Sequence, residues 1–66
     1  MDQQELDLLK KLVTDHTLTD VLIALKCITE EKCQQLWIED NPDKWGWEDA
    51  IKPITKLAHY TGERGL

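Results

Sequence analysis

Apolar residues recur at helical spacing along most of this chain, and they divide into three segments. In the first, Leu6, Leu9, Leu12 and Val13 share one helical face, and Leu8 widens the stripe. The pattern predicts a helix over residues 3–14. Glu5 and Asp7 lie near its start and Lys10 and Lys11 near its end, as the helix dipole prefers. Asp15-His16-Thr17 then breaks the pattern.

Thr17-Leu18-Thr19-Asp20 has the form of a capping box, with a hydroxyl placed to accept from the backbone N–H three residues on. A long second helix should follow, from Leu18 to about Ile38. Leu18, Val21, Leu22, Leu25, Ile28 and Leu36 fall within one arc of its wheel, while Ile23, Ala24 and Cys27 fall outside it. The first half of this helix is therefore apolar nearly all round, which predicts burial on every side. A strand over the same residues is outweighed by the cap before them and the good helix formers after them.

The clearest break is Glu39-Asp40-Asn41-Pro42-Asp43. Asn41 is a candidate cap and Pro42 suits a first helical position. The third segment runs to about Tyr60, with Trp47, Ala50, Ile51, Ile54, Leu57 and Ala58 on one stripe. Pro53 sits inside it. A proline there removes one ladder hydrogen bond and crowds a preceding carbonyl, so a kink or break is expected near residues 49–52. Gly62 is a candidate C-cap, and residues 61–66 read as a loose tail. The expected fold is all-α: a small three-helix bundle with a long central helix and a kinked or broken C-terminal helix at Pro53.

Length changes this picture. Sixty-six residues allow one domain, residues 1–66, and a chain of this size buries only ~60% of its unfolded surface. Its core needs a supplement such as a disulfide, a metal or a second chain. The two cysteines, Cys27 and Cys33, cannot supply an intrachain bridge if both lie on one helix. They would sit about 120° apart and ~9 Å along its axis. Free thiols fit a reducing compartment, and the acidic, polar start of the chain does not resemble a basic signal region, so a cytoplasmic location is expected. The longest apolar run, Val21 to Leu25, is far too short to span a membrane.

Charge and candidate chemistry narrow the function classes. A net charge of −5 disfavours binding to a phosphate backbone, and Lys10-Lys11 is the only adjacent basic pair. His16, Cys27, Cys33 and His59 match no structural zinc spacing. The acidic pairs Glu30-Glu31, Glu39-Asp40 and Glu48-Asp49 read as solvated faces and helix-end charges, because acid–base chemistry needs a cleft that so short a chain has little room for. No nucleophile elbow or phosphate loop occurs. The expected protein is not an enzyme and uses no cofactor or metal.

What remains is surface. Trp45 and Trp47 flank Gly46 in a chain with three tryptophans and no phenylalanine. On a continuous helix Trp47 falls on the apolar stripe and Trp45 on the back. Trp37 and Trp45 are therefore candidate aromatic anchors for a partner. Ile23 and Cys27 face away from the second helix's main arc and complete the candidate partner-binding set. The expected function is a non-catalytic protein–protein interaction module, a small regulator, adaptor or inhibitor that forms a homodimer. The alternative is an acidic mimic of nucleic acid that occupies the basic groove of a DNA- or RNA-handling protein, which would show as phosphate-like spacing of carboxylates and salt-sensitive binding.

Overall fold

The computed structural model describes all residues, 1–66. It is all-helical: α1 spans Gln3–Asp15, α2 Leu18–Ile38 and α3 Lys44–Glu63. The expected dominance of the central helix is slight, since α2 has 21 residues and α3 has 20.

Local chemistry sets the ends of each helix. Asp2 caps α1 in a full capping box: its carboxylate accepts from the Glu5 N–H at 2.8 Å, and the Glu5 carboxylate accepts from the Asp2 N–H. Thr17 caps α2 by accepting from the Asp20 N–H at 3.0 Å. At the far end of α2, the Asn41 N–H donates to the Leu36 carbonyl and the Asp40 N–H to Trp37, with Asp40 in the left-handed region at φ 54°. That is a Schellman close with aspartate where glycine is usual. Asn41 does not cap α3 as expected. Its side chain instead accepts from the Asp43 N–H, folding the turn before the helix begins at Lys44.

The end of the chain also differs from expectation. α3 continues past Tyr60 to Glu63, and Thr61 is buried. Gly62 is inside the helix. The glycine that closes it is Gly65, at φ 73°, where the Leu66 N–H returns to Thr61 and the Gly65 N–H to Gly62. The Leu66 carbonyl accepts from the Leu18 N–H at 2.7 Å, which ties these last residues to the first turn of α2. Pro53 lies within α3, whose helical assignment passes through it without a break.

α2 and α3 are the packed pair. They run antiparallel: Thr19 near the start of α2 meets Thr61 near the end of α3, and Cys33 lies against the Lys44 carbonyl. The seam uses Thr19, Leu22, Lys26, Thr29, Cys33 and Leu36 on α2. It faces Lys44, Trp47, Ile51, Ile54, Ala58 and Thr61 on α3. Both sets step by three and four residues in alternation, the spacing of a coiled-coil seam. The buried members are Leu22, Thr29, Cys33, Leu36, Ala58 and Thr61. Their polar groups are satisfied. Thr29 donates to the Leu25 carbonyl, Thr61 to the Ala58 carbonyl, and the Thr19 hydroxyl to the Thr61 hydroxyl at 2.8 Å.

α1 is different. It approaches α2 only slightly, makes no close approach to α3, and has no buried residue. The stripe Leu6, Leu9, Leu12 and Val13 is therefore not core. The expected all-round burial of early α2 also fails, because Leu18, Ile23, Leu25 and Ile28 are exposed. The molecule is a slab, 37 × 30 × 13 Å, with a radius of gyration of 13.6 Å. A compact domain of this length has about 11 Å.

Candidate functional site

The apolar stripe on α2 that steps through Val21, Leu25 and Ile28 points away from α3. Together with Leu9 and Leu12 of α1 and with Ala24, it walls an open groove of about 360 Å³. His16 and Asp20 are the only polar residues lining it. Ile28, at its far end, is 58% exposed. The arc predicted to be the heart of the core is thus split. Leu22 and Leu36 are buried toward α3, while Val21, Leu25 and Ile28 line the groove and Leu18 is exposed beside Leu66. Hydrophobicity alone places Val21, Leu25 and Ile28 in the core. The signal that separates the two stripes is the matched three–four spacing of Thr19 to Leu36 and Lys44 to Thr61, which includes threonine and lysine positions that a purely apolar count passes over.

A second cluster forms at the turn between α2 and α3. Trp37 in the last turn of α2 and Trp45 in the first turn of α3 meet edge to face, with ring centroids 5.0 Å apart and planes at 73°. Lys44 Nζ lies 4.4 Å from the Trp37 ring centroid and 5.7 Å from that of Trp45, and it pairs with the Asp40 carboxylate. Through hydrogen bond and charge, Lys44 holds the Asp40 carboxyl below its ordinary value. Trp45 is 58% exposed and Trp37 less so. The aromatic faces already hold the chain's own ammonium, so the cluster fastens the hairpin turn as well as presenting indole edges to solvent. Trp47 sits on the seam at the same end, with Pro42, Gly46 and Ala50 beside it in a shallow hollow.

The four candidate partner-binding residues do not form one patch. Trp37 and Trp45 are together. Ile23 and Cys27 are both exposed; Ile23 borders a shallow hollow with Lys26, Ala58 and His59 on the α3 side, and Cys27 follows Asp20 and Ala24 along one stripe of α2. Fourteen helical residues separate Ile23 from Trp37, about 21 Å of rise.

Other candidate chemistry is dispersed. Cys27 is free and exposed, and Cys33 is free and buried in the seam. No three His, Cys, Asp or Glu side chains are placed to share a metal ion. His59 pairs with Glu63, and Lys26 with Glu30. No helix is long and apolar enough to cross a membrane. No protein-family model, curated protein or solved structure matches this chain.

Proposed function

We propose that the chain is a non-catalytic protein–protein interaction module whose docking surface is the α1–α2 groove. The observation that carries this reading is an open groove walled by leucine, isoleucine, valine and alanine, one side of it formed by a helix with no buried residue. Contiguous apolar surface of this kind marks an interaction site, and a groove between two helices suits the apolar face of a further helix. Covering one such aliphatic side chain is worth ~1.5–3 kcal/mol. In this reading α3 is the scaffold. It braces α2 from the opposite side, bending at Pro53 to follow it, and leaves the groove wall free. The exposed thiol of Cys27 suits a reducing, cytoplasmic setting.

A photoreactive side chain placed at Ile28 tests the reading in the native host, with the same group at Lys52 on α3 as control. The expected result is a discrete protein adduct from position 28 and none from position 52. Absence of any adduct from position 28 in folded protein rejects the groove as a docking surface.

A further inference from the structure

We infer that the occupant of the groove is α1 of a second copy, so that two chains form a two-fold dimer by inserting each α1 into the other's α1–α2 cleft. This rests on the groove being a docking surface and names what docks there.

The first support is area. A folded monomer of 7.7 kDa exposes about 4,300 Å². This chain exposes 5272 Å². The excess, about 950 Å², is close to the ~800 Å² that each partner gives up in a standard interface.

The second support is self-complementarity. A closed two-fold contact needs one surface that is both donor and acceptor. Here the element that lacks a partner and the groove that lacks an occupant belong to the same chain. α1 offers Leu6, Leu9, Leu12 and Val13, and α2 offers Val21, Leu25 and Ile28. A helix of 13 residues is marginal in water unless its apolar face is buried, and within the chain no residue of α1 is buried and only Leu9 of its stripe is half-buried. The dimer gives both copies of α1 that burial.

Charge agrees. The groove lining carries Asp20, while Lys10 and Lys11 on α1 take part in no ion pair within the chain. In the exchange these two lysines are the cations that α1 has available for Asp20 of the opposite groove.

The test is sedimentation equilibrium of the full chain at micromolar concentration, with circular dichroism on the same samples. The wild type is expected at twice the 7.7 kDa chain mass. Ile28→Glu and Leu12→Glu, both at exposed positions, should stay helical and raise the dimer dissociation constant on the order of tenfold or more, because a carboxylate would be buried without a partner. Ile23→Glu, outside the groove lining, should leave the dimer intact. A monomeric wild type overturns the proposal, as does a dimer broken by Ile23→Glu but kept by Ile28→Glu. The two readings fail separately. A monomer that still cross-links from position 28 to another protein removes the second copy and leaves the groove as a docking surface. No cross-link at all removes both.

Discussion

The two long edges of α2 meet opposite fates. The edge facing α3 is the more polar, with Thr19, Lys26, Thr29 and Cys33 among its six seam positions, yet it is closed and holds Leu22 and Leu36 at 8% and 5% exposure. The edge facing α1 is almost wholly aliphatic, yet it stands open. Hydrophobicity alone does not decide which face is buried. Closure needs a partner helix of matching spacing and a turn that brings it alongside. α3 has both: a seam stepping by three and four residues, and a five-residue turn, residues 39–43, that reverses the chain through left-handed Asp40 and the Asn41 side chain. α1 has only His16 and Thr17 between it and α2, both extended. Its apolar stripe meets α2 only along one lip of the groove.

The sharpest way to break this comparison is to remove one leucine from the α2–α3 seam and one from α1 opposite the open edge, in the Ile28→Glu background, which is designed to weaken the proposed dimer. Leu36→Ala should cost ~2–4 kcal/mol in urea unfolding, or unfold so small a domain outright. Leu12→Ala, at an exposed position, should cost less than ~1 kcal/mol. Equal losses would show that α1 is as well packed as the hairpin.

Next in size is the clasp at the hairpin turn. Lys44→Met should remove the ammonium from both indoles and lower stability by about 1 kcal/mol, the scale of a cation–π contact, with a change in tryptophan fluorescence. The wild type should show a matching acid response. Asp40 has a folded-state pKa below its unfolded value near 3.8. The Lys44 pairing therefore contributes in full above the unfolded value and is lost as pH falls through the lower, folded value. The fluorescence step below about pH 4 should vanish in Lys44→Met. A step that persists would detach it from the Asp40–Lys44 pair.

The smallest expected effect is Pro53→Ala. Because α3 is helical on both sides of Pro53, restoring the N–H should preserve or raise helicity and change stability by ~0 to +1 kcal/mol. A loss of ~1 kcal/mol or more in denaturant unfolding would show that the proline's geometry is needed to keep α3 on the seam.

Three helices, their order and most of their ends were legible in the residue pattern, because caps and breakers act over a few residues. Thr17 starts α2 and the Asn41-Pro42 region separates α2 from α3, wherever the helices then go. Free cysteines were legible for the same reason: six residues on one helix cannot bring two thiols together. The division of α2 into a closed and an open face was not legible, since Leu22 and Leu25 look alike on a wheel until the register of α3 is known. Nor was the pairing of Trp37 with Trp45, eight residues apart on different helices, or the ammonium of Lys44 between them. Helix identity is a short-range property of propensity and capping. Which stripe finds a partner depends on where two short connections send the neighbouring helices, and here one of them returns a helix to α2 while the other leaves it apart.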